Sequence, residues 1–261
     1  MLNRISAVLL FCTLTCISGC GFSSVREKGA IYMHLAAEPA TLNPIIAGDA
    51  SETWINEYIQ ENLIRRDYDT LEFVPHLAEK WEISGDKLGY TFYIRKGIKW
   101  HDGVELTADD VIYSFKVIMD PKTDDSPLRV YYQDIDKIKK IDNYTVYFHL
   151  RKQYYRALEI CGGMQILPKH LFDDGHSINN HPLNRSPVGT GPYKFVKWNT
   201  GQSIVLERNE EYWGIKPQIK KIVFRIVPEQ KVAFKMTKKG ELDYMVIRPI
   251  QWERQTSGKR F

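Results

Sequence analysis

The sequence predicts an α+β fold, a mixed arrangement of helices and strands, on three observations. Strand and helix signals follow one another without a regular βαβ rhythm. Tyr90 to Arg95 alternates, with Tyr90, Phe92 and Ile94 set against Thr91, Tyr93 and Arg95, as in a strand with one buried face. Thr107 and Asp110 have the spacing of a capping box, with Asp in the usual Glu/Gln position. The helix they open carries Val111, Ile112, Phe115 and Ile118 on one face and stops at Asp120-Pro121.

The chain opens on a secretion signal. Arg4 supplies a positive n-region, and Ile5 to Ile17 form an apolar stretch too short to span a bilayer stably. The segment closes on Ile17-Ser18-Gly19-Cys20, which resembles the bacterial lipobox. In that motif small residues admit the peptidase, and the cysteine sulfur accepts a diacylglycerol before cleavage. Residues 1–19 therefore read as a lipoprotein signal peptide and Cys20 as the lipidation site. The competing reading is a soluble secreted protein with an incidental Cys20. Residues 20–29 read as a short lipid-anchored tether, polar and with little reason to pack. Gly21 is not Asp, so nothing here resembles an inner-membrane retention signal.

Removing residues 1–19 leaves about 240 residues, enough for a substantial core in one large domain or two small ones. Cys12 and Cys16 leave with the signal, and beyond Cys20 only Cys161 remains. No intrachain disulfide is then available, and Cys161 reads as a small buried apolar residue. The net charge is +4, with basic and acidic residues interspersed apart from short clusters such as Lys137 to Lys140. That is a solvated surface and not a nucleic-acid groove. No other apolar run approaches membrane-spanning length.

Ala30 to Leu35 reads as the first strand. The turn-rich Glu38 to Pro44 follows, each proline forcing its predecessor out of the helical region. Ser51 begins a helix with Glu52 in its first turn and Trp54, Ile55, Tyr58, Ile59 and Leu63 at helical spacing. After the capped helix, strands are predicted at Thr145 to Leu150, Tyr193 to Trp198, Ser203 to Glu207 and Lys221 to Val227. The second and third flank Asn199-Thr200-Gly201-Gln202 as a hairpin. A helix from about Glu229 to Lys239 ends at Gly240, and Leu242 to Ile247 reads as a last strand.

No constellation points to catalysis. His101-Asp102 suggests a base and its orienter, but sequence neighbours rarely face one reacting atom. The flanking Trp100 and Gly103 suit a turn whose Asp bonds its own backbone. Asp109-Asp110 sits at a helix start, where capping and the helix dipole explain acids. His170, His176 and His181 are spaced by six and five, unlike the i, i+4 pairs of a helical metal site, so no dedicated metal site is expected. Ser186 to Gly191 lacks the Lys-Ser/Thr of a phosphate loop, and no G-x-S-x-G, H-E-x-x-H or C-x-x-C occurs. Asn143-Tyr144-Thr145 matches a glycosylation sequon, read as chance beside a lipobox. No cofactor is implied. Six tryptophans and many tyrosines serve mostly as core, with a few available to line an apolar cleft. Tyr131, in Tyr131-Tyr132-Gln133 just after a Pro-containing loop, is the best candidate for a cleft wall.

Between Pro75 and Lys116 stand A-E-x-W, the alternating strand, R-x-G-I-x-W-H-D-G and L-T-A-x-D-V-x-Y-S-F. To these add Glu38-Pro39 with Leu42-Asn43-Pro44, Leu167-Pro168-Lys169-His170, Val188-Gly189-Thr190-Gly191-Pro192-Tyr193, Arg208-Asn209 with Tyr212-Trp213, and Gly240-Glu241-Leu242-Asp243. On these residues the chain, from about 30 to 247, resembles the family 5 extracellular solute-binding proteins, the peptide- and nickel-binding receptors of ABC importers. The resemblance implies a two-lobed, type II periplasmic-binding fold that closes on its ligand by hinge motion. It implies a peptide ligand and ABC permease subunits in the inner membrane as partners. It further implies no enzymatic activity, a monomer, and a location in the periplasm or at the cell surface. The alternatives are a receptor for nickel chelates or another small solute, or a truncated fragment without binding activity.

Family members are roughly twice this length, well beyond one ordinary domain. The expectation is that residues 30–250 build most of lobe one and residues 251–261 begin the crossing to a second lobe that is missing. A chain with half its cleft walls absent is expected to bind peptides weakly or not at all. In the family the loop after the Asn-Pro motif faces the cleft and offers backbone bonds to an extended peptide. Here that loop runs from Ile45 to Ala50, so Gly48, Asp49 and Ala50, with Tyr131, are the candidate ligand-binding residues.

Overall fold

The computed structural model describes residues 26–124, 128–249, 252 and 256. The signal segment and Cys20 lie outside the described residues, as does the expected crossing 251–261 apart from Trp252 and Thr256. In chain order the elements are β1 (Ala30–Leu35), α1 (Ala50–Ile59), β2 (Ile64–Arg66), β3 (Phe73–Pro75), β4 (Ala78–Ile83) and β5 (Gly89–Ile94). Next come α2 (Ala108–Met119), α3 (Arg129–Tyr132), β6 (Ile135–Asp142), β7 (Thr145–Leu150), α4 (Ala157–Gly162) and α5 (Lys169–Phe172). After two 3-10 turns, 178–180 and 182–185, follow β8 (Tyr193–Asn199), β9 (Ser203–Arg208), β10 (Lys221–Ile226) and α6 (Gln230–Lys238). Among the described residues no helix is long and apolar enough to cross a membrane.

Two four-stranded sheets organise these elements, with orders β1-β10-β9-β8 and β4-β5-β7-β6, beside the small β2-β3 pair. The mixed α+β architecture is as the sequence predicts. In the second sheet β5 and β7 bury alternate residues, and Phe92 stands opposite Val146 and Tyr90 opposite Phe148. The Phe92 and Phe148 rings meet edge to face at 5.7 Å. Helix α2 closes this core with Val111 and Ile118, and Cys161 is buried in it. Asp110 reaches back to accept the Thr107 N–H at 2.8 Å, so the helix begins where the sequence places its cap.

The first sheet is covered on both faces. Met33, Leu35, Ile222 and Phe224 pack with Ile55 and Ile59 of α1, while Tyr32 and Val223 pack with Ala233 of α6 and Leu242. This double burial explains why β10 reads as a near-continuous apolar run. β1 and β10 are parallel; the β8–β9 hairpin is antiparallel, and Gly201 in its turn has φ 69°.

Four expectations are corrected. Leu242 to Ile247 forms a single parallel bridge, Tyr244 to Met33, and not a strand. Helix α1 ends at Ile59, and Leu63 joins the other core instead. Residues inside the expected tether are packed: Arg26 pairs with Asp243 and Glu27 with Lys221. Strands β4 and β6 lie where no strand is predicted, because both are sheet edges with mostly exposed, charged residues.

Candidate functional site

Parallel strands deliver their following loops to one side of a sheet, and ligands of open α/β sheets bind outside those carboxyl ends. β1, β10 and the bridge residue Tyr244 run in the same direction. Their ends carry residues 36–49, residues 227–229 and residues 245–249 to one edge. Val227 N–H donates to Leu35 O and His34 N–H to Tyr244 O, both at 2.9 Å, which locks the three segments together.

The loop between β1 and α1 is held at both ends by acids. Glu38 accepts from Trp198 Nε1 at 2.7 Å and Gly201 N at 3.0 Å, and the Arg185 guanidinium lies 3.6 Å above the Trp198 ring. Buried Glu52 accepts from Thr41 N at 3.0 Å with one oxygen and from Asp49 N at 3.0 Å and Gly48 N with the other. Asp49 returns the cap by accepting Glu52 N–H at 2.9 Å. Between them Thr41 Oγ1 and Leu42 N donate to the Asn184 carbonyl, and Asn43 Nδ2 donates to Asn184 Oδ1.

Gly48, Asp49 and Ala50 are all exposed at this edge, and a Cβ on Gly48 would meet nothing within 4 Å. The expected backbone bonds need one correction. Gly48 and Asp49 N–H already serve Glu52, so they are not free donors. The Gly48 carbonyl has no donor among the described residues, so what this loop offers an extended chain is an acceptor.

Sequence reasoning missed the neighbouring wall. The Trp54 ring lies 5.6 Å from Tyr244 and 5.3 Å from Phe224, while Tyr244 stays 45% and Val246 68% exposed. Gln230 Nε2 fixes the Val246 carbonyl at 2.8 Å. The signal that could have found this wall is the order strand, helix, apolar segment over 221–247, which places the last segment parallel to a neighbour.

Tyr131 sits on α3, 48% exposed, with the Arg156 guanidinium 5.9 Å from its ring. Its neighbour Tyr132 belongs to the same core as Ile45, so the two candidates flank one body. Tyr131 shares no hydrogen bond or ring contact with Gly48, Asp49 or Ala50 among the described residues.

The tempting chemical pairs are taken apart. His101 Nδ1 accepts Gly189 N–H at 3.2 Å and Nε2 donates to Gly191 O at 3.0 Å. Burial pushes its pKa down to about 4, against the opposing pull of the Gly191 carbonyl. Asp102 turns the other way, accepting Val104 N–H at 3.2 Å and meeting His170 Nε2 at 2.6 Å. Asp109 pairs with Lys140, whereas Asp110 accepts from Thr107 N and Lys169 N, its pKa raised by burial. The glycines of Ser186 to Gly191 serve close packing and not phosphate: Gly191 N donates to Ile59 O at 2.9 Å, and a Cβ on Gly189 would lie 1.9 Å from that oxygen. Tyr212 OH and Trp213 Nε1 both donate to buried Glu61, at 2.6 and 2.9 Å, with Thr190 Oγ1 at 2.9 Å and His76 Nε2 at 3.1 Å. Burial, and then the Glu61 charge, raise the Tyr212 hydroxyl pKa. These motifs join the two sheets.

A sequence model of the bacterial extracellular solute-binding proteins, family 5 Middle, matches residues 72–261. The oligopeptide-binding protein AppA of Bacillus subtilis is 29% identical over 226 residues, covering 84% of this chain and 41% of that protein. The dipeptide-binding protein of Escherichia coli is 31% identical over 243 residues, covering 85% of this chain and 45% of the relative. Among solved structures, NikZ of Campylobacter jejuni in complex with Ni(L-His) superimposes with a TM-score of 0.76 at 30% identity, covering 84% of this chain and 43% of NikZ. The chain thus spans less than half the length of these proteins.

Proposed function

We propose, from the premise that the chain belongs to the family 5 bacterial extracellular solute-binding proteins, that it takes part in capturing peptides for an ABC importer. Delivery would be to permease subunits in the inner membrane, from the periplasm or the cell surface, with Cys20 carrying the lipid anchor. The protein performs no turnover in this reading. It rests on one observation above the others: Gly48, Asp49 and Ala50 form an exposed, acid-braced loop at the start of the helix that carries Trp54, whose ring meets the exposed Tyr244. A braced backbone acceptor against an apolar wall holds an extended chain while ignoring most side-chain identity, which suits a receptor for mixed peptides. Tyr131 is proposed as a second contact.

The test is a titration of the isotope-labelled chain with di- and tripeptides, followed by amide NMR. Shifts should concentrate at Gly48 to Ala50 and at Tyr244 to Ile247, and Gly48→Val, which the open space tolerates, should abolish them. Shifts confined to other surfaces would sink the reading. A parallel titration with Ni(L-His) addresses the other solute class, since NikZ is among the similar structures. A response there and none to peptides would replace the peptide reading with a chelate receptor. Cys20→Ala should release the protein from the membrane fraction.

A further inference from the structure

We propose that Asp174, His176 and His181 form a binding site for a divalent transition-metal ion of the zinc type, apart from the strand-end edge and independent of the peptide reading. One ligand atom from each residue lies within 4.8 Å of the others. Asp174 Oδ2 is shared, 2.8 Å from His176 Nδ1 and 3.3 Å from His181 Nε2. Bonds of about 2.0–2.1 Å at a tetrahedral angle put ligand atoms roughly 3.3 Å apart, so the Asp174–His181 separation already suits an ion, while the Asp174–His176 pair must open by about 0.5 Å. His176, whose side chain is 62% exposed, is free to close the third.

Two of the ligands are oriented by the groups behind them. Asp174 Oδ1 accepts the His176 backbone N–H at 3.0 Å, which turns Oδ2 toward both imidazoles. His181 has a side chain only 2% exposed; its ring lies 4.4 Å from that of Phe172, and its Nδ1 accepts Leu183 N–H at 3.2 Å. Of these partners the His176 N–H and the Phe172 ring persist when an ion binds and aim the two ligands. Two imidazoles and one carboxylate favour zinc, nickel or copper over calcium or magnesium. A groove of about 610 Å³ between α2 and residues 172–178 is lined in part by Phe172, Asp173 and His176, so the His176 ligand faces solvent.

A ring that ligates through the nitrogen facing Asp174 carries its proton on the opposite nitrogen. For His181 that nitrogen is Nδ1, so the bond from Leu183 N–H is lost and the Leu183 amide becomes a reporter. The ion would also stiffen residues 174–185, and with them Asn184, which pins Leu42 and Asn43. Sequence spacing argued against this site because it tests for two ligands on one helix; here an irregular loop brings them together.

The experiment is a zinc titration of tag-free protein in competition with a chromogenic chelator. One equivalent should bind with micromolar affinity or better. His176→Ala and Asp174→Asn should each weaken binding at least tenfold, the range expected on losing a ligand or its support. His176 and Asp174 are both exposed, so these variants should keep the native circular dichroism. His170→Ala, whose imidazole faces Asp102, should bind like the wild type. The Leu183 amide should shift on zinc addition. Absence of binding with zinc in large excess, or affinity unchanged by His176→Ala, would overturn the proposal.

Discussion

Asn43 Nδ2 donates to Asn184 Oδ1 at 2.9 Å, although 141 residues separate the two. Both are buried, so this pair clamps the β1–α1 loop against the 182–185 turn. Replacing Asn184 with Ala leaves the Asn43 amide without its partner, at a cost of about 1–3 kcal/mol. Urea unfolding should show a lower midpoint with an unchanged slope. An unchanged midpoint would mean that the clamp contributes nothing.

Glu52 gathers the N–H groups of Ala40, Thr41, Gly48 and Asp49 onto one buried carboxylate. Glu52→Ala should cost about 2–3 kcal/mol, since bonds to a charged acceptor are among the stronger ones. Hydrogen exchange should accelerate at Gly48 and Asp49 while the β5 amides stay protected. Uniform acceleration would indicate global destabilisation and refute a local role.

Gly189 packs on the end of α1, where the Ile59 carbonyl leaves no room for a Cβ. Because that neighbour is backbone, Gly189→Ala should cost about 3 kcal/mol or more, at the upper end for overpacking. Thermal unfolding by circular dichroism would check it. A melting temperature within a degree of the wild type would contradict the geometry.

His101 is neutral in the folded chain because Nδ1 accepts the Gly189 N–H, and burial holds its pKa at about 4 against an ordinary 6.5. Between those values the unfolded chain binds a proton that the folded chain refuses. Stability therefore falls as pH drops from 6.5 toward 4 and levels off below, by about 3 kcal/mol in all. His101→Gln should flatten this part of the pH profile. An NMR titration placing His101 near its ordinary pKa would sink the prediction.

Much of the fold was legible in the sequence because its buried faces are periodic. Thr145 to Leu150 and Ala30 to Leu35 are strands to the residue, and the Thr107 cap sets the start of α2. Edge strands β4 and β6 were not legible, since charged residues facing water carry no alternation. Leu242 to Ile247 looked like a strand because Leu242 packs under α6, yet only Tyr244 completes a bridge.

The sequence by itself determined the family, the α+β class and the exclusion of the obvious catalytic pairs. The family follows from the resemblance of its motifs; the class and the exclusion follow from local chemistry: a cap, a turn that uses its own aspartate, an alternating strand. Only the tertiary structure decided where partners lie. It sent His101 to Gly189 and Gly191 and Asp102 to His170, put Trp54 beside Tyr244, and gathered Asp174, His176 and His181 around one point. It also showed that the Gly48 and Asp49 N–H groups are already engaged. The reason is physical: local spacing fixes which face a residue presents, whereas the contact it makes there depends on which distant segment packs against that face.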